Sequence, residues 1–272
     1  DFNRNNGYLS RYEVGGVPML KEGGMLTPNF WRAGTDNDYG GNVHKAYGVW
    51  KNSVIKLKSL DAAVENDLVV VRAAYDMPDV QALLHLTYYI NNLGQIKVVQ
   101  KINVTKGAKV SDLYRFGMQL QMPATMEYST YYGRGPIENY ADRKASAFIG
   151  KYIQTATEQA YPYIRPQETG TKSDIRWWMQ ADCGGRGLKF VSDIPFYASA
   201  LHYSIDSLDD GEEKGQRHFP EIAPIDYTNV CIDGAQTGIG GVTSWGNDAY
   251  ALKKYRLPYA DYEFSFILIP VK

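Results

Sequence analysis

Residues 83–104 read LLHLTYYINNLGQIKVVQKINV, and this stretch decides the fold class. Apolar and polar side chains alternate over residues 83–90 and again over residues 95–104. Alternation with a period of two is typical of strands that bury one face. The intervening residues 91–94, Asn-Asn-Leu-Gly, have the composition of a tight turn. The stretch therefore predicts two consecutive antiparallel strands joined as a hairpin.

The same period of two recurs along most of the chain. Further strands are predicted at residues 53–60, 67–74, 115–122, 127–132, 174–180, 187–191, 197–202 and 262–269. Helical patterns are few, and only residues 142–149 and 205–211 are predicted as short helices. Many strands in one chain favour two packed antiparallel sheets. Because no linker or compositional break is visible, we expect one all-β domain over residues 1–272.

The composition excludes several classes of function. The chain has a formal net charge of −1 at pH 7 and no basic run, so nothing indicates nucleic-acid binding. It has no apolar segment long enough to predict a membrane span. Its 2 cysteines make no disulfide framework, and its 4 histidines lack the spacing of metal ligands. The 22 tyrosines and 5 tryptophans suit strands, and aromatic rings also stack on sugars.

Long polar segments rich in glycine separate the predicted strands, and loops of this kind usually carry a function or an interface. They span residues 27–48, 133–143, 161–172 and 233–248. Four motifs lie in or beside them: Phe30-Trp-Arg-Ala-Gly-Thr-Asp-Asn-Asp-Tyr-Gly40, Tyr132-Gly-Arg-Gly-Pro-Ile-Glu-Asn-Tyr-Ala-Asp-Arg143, Tyr163-Ile-Arg-Pro-Gln-Glu-Thr-Gly170 followed by Arg176-Trp177, and Asp233-Gly-Ala-Gln-Thr-Gly-Ile-Gly-Gly-Val-Thr-Ser-Trp-Gly246.

Together these motifs resemble the last domain of the glycoside hydrolase family 2 β-galactosidases. They occur in the family's order and cover nearly the whole chain. Two departures are visible: Gly34 stands where the family usually has proline, and Val242-Thr243 replaces an acidic or asparagine pair. The first loosens a constraint on the backbone, and the second removes charge beside Trp245.

The resemblance implies a fold, a parent protein and a reaction. The fold is expected to be a large antiparallel two-sheet supersandwich of the galactose mutarotase-like type. Residues 1–272 are expected to be the C-terminal domain of a longer multidomain enzyme, in agreement with a first residue other than Met. The implied reaction is retaining hydrolysis of terminal β-D-galactosides such as lactose, performed by two glutamates on a separate (β/α)₈ barrel. This domain would complete the active-site mouth and support the barrel, and would not be catalytic alone.

The resemblance also implies partners. They are the β-galactoside substrate and the catalytic barrel of the same chain, and the parent is expected to be a homo-oligomer. No cofactor is expected in these residues, because the Mg and Na ions of the family are bound elsewhere. The compartment stays open between the bacterial cytoplasm and the periplasm.

Trp245 is the candidate substrate-binding residue. In the family, the tryptophan at this loop position forms a platform for the sugar in the leaving-group position, and an indole face suits the C–H face of a sugar. Asp36, Asn37, Asp38 and Gly40 are candidates for the active-site margin, because the family loop that begins near Gly40 lies beside the active site. The alternative for this run is a turn held by short polar side chains.

Other polar residues are interpreted as structural. Glu138, Asp142 and Arg143 are expected to hold a loop as one charge cluster, and Arg165, Glu168 and Arg176 as another. No residue is assigned as catalytic or as a metal ligand. Two alternative functions stay open: a free-standing carbohydrate-binding module that uses exposed aromatic rings, and an enzyme resembling an aldose epimerase. An epimerase needs a paired acid and base, and no histidine has a carboxylate partner that the sequence identifies.

Overall fold

The computed structural model describes residues 1–209 and 217–271, and these are folded almost entirely into antiparallel β-sheet. The strands are β1 Glu13–Val14, β2 Val17–Pro18, β3 Leu26–Asn29, β4 Lys56–Glu65, β5 Leu68–Met77, β6 Ala82–Ile90, β7 Ile96–Val104, β8 Arg115–Pro123, β9 Tyr128–Gly135, β10 Phe148–Thr155, β11 Lys172–Ala181, β12 Gly187–Leu201, β13 Tyr227–Gln236 and β14 Tyr262–Val271. The helices are α1 Asp36–Gly40, α2 Val43–Ala46, α3 Ala156–Gln159 and α4 Ile205–Leu208, with 3₁₀ turns at Gly48–Trp50, Pro78–Val80, Phe219–Glu221, Gly246–Ala249 and Lys253–Tyr255. The predicted all-β class is confirmed.

The two predicted layers are present, and one long strand joins them. The first layer has the order β10-β9-β11-β12-β14-β7-β6-β5-β4. Strand β12 pairs with β14 through Gly187–Val191 and with β13 through Tyr197–Leu201. The sheet therefore branches at β12 into a second layer, β13-β8-β3. The rings of Phe116 in β8 and Tyr262 in β14 lie 5.4 Å apart and connect the layers across the core.

The hairpin of β6 and β7 has the alternation that the sequence predicts. Leu84, Leu86 and Tyr88 are fully buried, whereas the side chains between them are partly exposed. Each buried large apolar side chain contributes about 1.5–3 kcal/mol to folding. Ile90 pairs with Ile96 across the turn, so the predicted hairpin is confirmed.

Two local predictions are wrong, and the pattern also fails to predict some strands. Residues 142–149 form no helix, because the Asp142 carboxylate accepts backbone N–H groups from a distant loop and β10 begins at Phe148. The segments predicted at 187–191 and 197–202 are parts of the single strand β12. The pattern misses β13, because this strand is buried on both faces and shows no alternation.

Other expectations agree with the described residues. The helix predicted at 205–211 is confirmed through Leu208, and its residues beyond 209 lie outside the described part of the chain. Cys183 and Cys231 are both free, one exposed and one buried. Among the described helices, none is long and apolar enough to cross a membrane.

The four motif segments meet at one end of the sheets. Strands β3 and β13 both end beside the start of β8, where Asn29 pairs with Gly117 and Gln236 pairs with Arg115. The start of β11 lies beside β12, which carries β13 on its other side. Antiparallel pairing thus brings residues far apart in sequence to the same rim.

Candidate functional site

Helix α1 holds all four predicted margin residues, and its N-terminus is fixed by a capping box. The Asp38 carboxylate accepts the Thr35 backbone N–H at 2.8 Å, and the Thr35 hydroxyl accepts the Asp38 N–H at 3.3 Å. Arg32, which is fully buried, donates to the same carboxylate at 2.6 Å and 3.3 Å. Asp38 is therefore a structural residue inside the domain. Asp36 and Asn37 line the cleft beside the helix.

The C-terminal end of α1 packs against the loop that carries Trp245. A Cβ atom on Gly40 would lie 1.9 Å from the Ser244 carbonyl oxygen and 3.6 Å from the Trp245 ring, so only glycine fits this contact. The Asn37 amide donates to the Thr243 carbonyl at 3.4 Å. The Trp245 side chain itself is exposed, at 79% of its full area. The structure therefore brings Trp245, Asn37 and Gly40 together, while Asp38 is buried.

The glycine-rich loop before Trp245 is held from two sides. The Asp142 carboxylate accepts the backbone N–H of Ile239 at 3.1 Å and of Gly240 at 2.9 Å. A Cβ on Gly238 would lie 2.4 Å from the same carboxylate. On the buried side, Arg32 donates to the Gly238 carbonyl at 3.3 Å. Asp142 thus holds a loop, as expected, but it is not a member of the cluster that Glu138 and Arg143 form.

A cleft of about 470 Å³ opens where the four motif segments meet. Its walls include Asp36 and Asn37 from the first motif, Asp142 and Arg143 from the second, Gln167 and Glu168 from the third, and Gly240 and Gly241 from the fourth. Leu252 and Tyr255 complete the rim. The motifs that stand far apart in the sequence therefore build one site.

One expected charge cluster is present in part. Glu138 accepts from Arg143 at 2.8 Å, and it also accepts the Gly170 N–H at 2.8 Å and the Thr169 hydroxyl at 3.0 Å. The Tyr163 hydroxyl donates to the same carboxylate. This network ties the second motif to the third.

The expected cluster of Arg165, Glu168 and Arg176 is wrong. Arg165 lies 4.2 Å from the centre of the Tyr39 ring, and Arg176 lies over the Tyr132 ring at 5.7 Å. Glu168 pairs instead with an arginine that the sequence reasoning missed. Because Arg165 and Glu168 are only three residues apart, proximity in the sequence favoured the wrong partner.

That missed residue, Arg115, lies at the centre of a buried network. It is 1% exposed, its Nη2 atom lies 3.2 Å from Glu168, and its Nε atom lies 3.5 Å from Asp233. Burial raises the pKa of Asp233 to about 7; Arg115 opposes this rise and Glu168 adds to it. The network joins β8, β13 and the third motif below the cleft floor. The only sequence signal for it is an arginine between two aromatic residues, Tyr114 and Phe116.

Comparison with known proteins identifies the family. The family model described as "Beta galactosidase small chain" matches residues 1–268. The chain belongs to this family. The small-chain domain is 31% identical over 246 residues to a beta-galactosidase of Priestia megaterium, and 33% identical over 254 residues to one of Lactobacillus delbrueckii subsp. bulgaricus. These matches cover 90% and 92% of this chain but only 23% and 24% of the relatives.

Solved structures with a similar fold include a putative aldose 1-epimerase from Escherichia coli K12. It is 8% identical, with a TM-score of 0.48, over 98% of this chain and 93% of that one. A GH36 alpha-galactosidase from Geobacillus stearothermophilus is 9% identical with a TM-score of 0.45, over 100% of this chain and 33% of that one. These likenesses concern the fold alone.

The small-chain domain does contain a histidine with a carboxylate partner, which the sequence did not identify. His202 Nε2 contacts the Glu127 carboxylate directly, and Nδ1 lies 3.1 Å from the Tyr227 carbonyl. Within residues 1–209 and 217–271, no group of three metal-binding side chains is found.

Proposed function

We propose that this small-chain domain is the C-terminal domain of a retaining β-galactosidase that hydrolyses terminal β-D-galactosides such as lactose. In this proposal the domain supplies the outer wall of the active-site mouth, while two glutamates on a separate barrel perform the reaction. The observation that carries the proposal is the position of Trp245. Its indole is 79% exposed, and the backbone of its loop is held by Asp142 on one side and by helix α1 on the other.

A fixed platform suits a sugar better than a mobile one, because ordering a loop on binding costs free energy. Contacts from Gly40, Asn37 and Asp142 hold the loop before any ligand arrives. An indole then offers an apolar face for the C–H groups of the sugar and an N–H for a hydroxyl. Asp36, Asn37 and Gly40 are the margin of this mouth in the proposal.

The carboxylates around the cleft support a role outside the chemical step. Asp142, Glu138 and Glu168 all accept hydrogen bonds from groups that anchor the loops. Asp36 also lines the cleft, and it is 60% exposed to solvent. A retaining glycosidase needs two carboxylates about 5–5.5 Å apart on either side of the scissile bond. This arrangement favours catalytic groups on another domain.

Exposed apolar residues beside the cleft support a docking role for the neighbouring surface. They are Ile137, Tyr161, Ile164 and Val242, each on or within two residues of a motif segment. Contiguous exposed apolar residues usually mark an interaction site. We propose the catalytic barrel as the partner and a homo-oligomeric parent. The ions expected in the parent, Mg and Na, are assigned to sites outside this domain.

The Trp245→Ala variant of the complete enzyme tests the proposal. A lost sugar stack costs about 1–2 kcal/mol, which is about a 5- to 30-fold loss in kcat/KM for lactose. Because the platform contacts ground state and transition state to similar degrees, the loss should appear mainly as a higher KM. Trp245→Phe should keep much of the wild-type value.

The matched control is Phe148→Ala, which removes another exposed ring, at 73%, outside the cleft lining. It should leave the KM for lactose unchanged, and both variants should melt within about 2 °C of wild type, since surface substitutions cost little. A Trp245→Ala variant that loses several degrees in Tm while its KM stays constant would contradict the assignment.

The isolated 272-residue chain should hydrolyse no chromogenic β-galactoside above background, because the proposed catalytic glutamates are absent from it. A single stacking contact gives little net affinity, because the free-energy costs of desolvation and of ordering the sugar offset most of it. We therefore expect millimolar binding of galactose or lactose at best. Calorimetry checks the binding. A micromolar Kd would favour the carbohydrate-binding module, and turnover abolished by one substitution in this chain would favour an enzyme in its own right.

A further inference from the structure

The cleft and Trp245 lie at the two ends of one short helix. Asn37 lines the cleft and also donates to Thr243, two residues before Trp245. Gly40, at the other end of α1, lies so close to the Trp245 loop that a Cβ atom there would be 3.6 Å from the Trp245 ring. Three residues of helix rise about 4.5 Å. A chain of sugar units that starts on the indole therefore reaches the cleft after a short step across α1.

The side chains that face the cleft have the chemistry of a saccharide site. The Asp36 carboxylate, 60% exposed, can accept hydroxyl groups, and the Arg143 guanidinium, 53% exposed, can donate to them. Leu252 and Tyr255 offer an apolar wall for the C–H face of a sugar. The volume of about 470 Å³ lies within the usual range for small-molecule sites.

Both charged groups are oriented before a ligand binds. The Gln167 amide donates to Asp36 at 3.0 Å, and Arg165 lies 3.5 Å from the other oxygen of that carboxylate. Arg143 is fixed by Glu138 at 2.8 Å and by the Tyr163 hydroxyl at 3.2 Å. Groups held in this way lose little conformational entropy when they bind a ligand.

We propose that this cleft is a further subsite, which binds the sugar unit that follows the one on Trp245. The site selects β-galactosides longer than a disaccharide. The inference rests on the proposed function, since it places the preceding sugar on Trp245, but it adds Arg143, Leu252 and Tyr255, which take no part in the proposed platform.

The experiment compares lactose with a linear trisaccharide, galactosyl-β-galactosyl-β-glucose, in the complete enzyme. The variants are Asp36→Asn, which removes the charge and keeps the shape, and Tyr255→Leu, which removes the ring and keeps an apolar wall. Each should lower the ratio of kcat/KM for the trisaccharide to kcat/KM for lactose by about fivefold or more. Asp61→Asn, an exposed carboxylate on β4, is the matched control and should leave the ratio unchanged.

The outcomes separate this inference from the proposed function. A ratio that stays at the wild-type value in both cleft variants, each folded by its Tm, overturns the subsite. If only one variant folds, the other decides in the same way. Trp245→Ala should raise the KM for both substrates, and an unchanged KM for both overturns the proposed platform whatever the ratio does in the cleft variants.

Discussion

Replacing Arg115 with methionine should lower the free energy of unfolding of this domain by about 3–5 kcal/mol at pH 7, the usual cost of breaking a buried ion pair. The substitution keeps an apolar stem in the core but leaves Glu168 and Asp233 without their shared cation. Glu168 and Asp233 are 6% and 1% exposed, so water cannot replace the guanidinium. A buried carboxylate without a partner is far more costly than the pair itself is stabilising.

The stability lost in the Arg115→Met variant should be smaller at acidic pH than at neutral pH. The pKa of Asp233 in the folded domain is about 7, above the ordinary value of 3.8, so the folded state binds its proton more tightly than the unfolded state. The stability that this proton contributes is complete below about pH 4 and is lost as the pH rises through 7. A protonated Asp233 also needs no cation, so the Arg115→Met variant should lie closer to wild type at pH 5 than at pH 7.5.

Urea unfolding of the 272-residue chain at pH 5 and pH 7.5 measures both effects. Arg11→Met is the control, because the Arg11 side chain is 68% exposed in its pair with Glu13 and should contribute less than about 1 kcal/mol. A loss below 1 kcal/mol for Arg115→Met, or one that grows on acidification, would show that the buried network is not held by this arginine.

The second large effect is expected for Arg32→Met, again about 3–5 kcal/mol at pH 7. Arg32 is fully buried and is bound to both Asp38 and the Gly238 carbonyl, so its removal releases α1 and the glycine-rich loop together. Because Trp245 stands on that loop, the complete enzyme should also show a higher KM for lactose. Arg115→Met should change KM less, since its partners Glu168 and Asp233 lie outside α1 and outside residues 238–245 of the loop.

Thermal unfolding and lactose kinetics, measured side by side, check this prediction. Arg72→Met is the control, since Arg72 pairs with Glu65 at 2.7 Å on the surface of the β4–β5 hairpin, with 40% of its side chain exposed. That variant should retain both the Tm and the KM of wild type. An Arg32→Met variant with a lower Tm and an unchanged KM would mean that the loop keeps its position without the arginine.

The sequence predicts strands well where one face is buried and the other is open. In β6, the alternation around Leu84 and Leu86 translates directly into burial. The same signal fails for β13, because its two buried faces remove the polar half of the pattern. It also fails at Asp142, whose hydrogen-bond partners lie 97 and 98 residues away, beyond the reach of local pattern reasoning.

For the candidate site, the motifs predict which segments matter but not how they connect. Trp245 and Gly40 could be placed on one rim by the resemblance, and the structure adds the close approach of Gly40 to the carbonyl of Ser244, the residue before Trp245. Arg32 and Arg115 could not be found, because arginine is usually a surface residue and its burial depends on carboxylates far away in the sequence. The turn alternative expects short polar side chains to hold the run from Asp36 to Gly40; Asp38 does so through a capping box, while Asp36 and Asn37 line the cleft.

The pairing of strand β12 with both layers determines how this domain unfolds. Its first five residues pair with β14 and its last five with β13, so each layer holds the other through the same main chain. Neither layer can be lost as an independent foldon while the other keeps a complete hydrogen-bond ladder. A cut or an insertion at the register shift between Val191 and Phe196 would therefore act on the cooperativity of the whole domain. A chimera that joins one layer of this domain to the other layer of a relative between Val191 and Phe196 should therefore unfold in two steps.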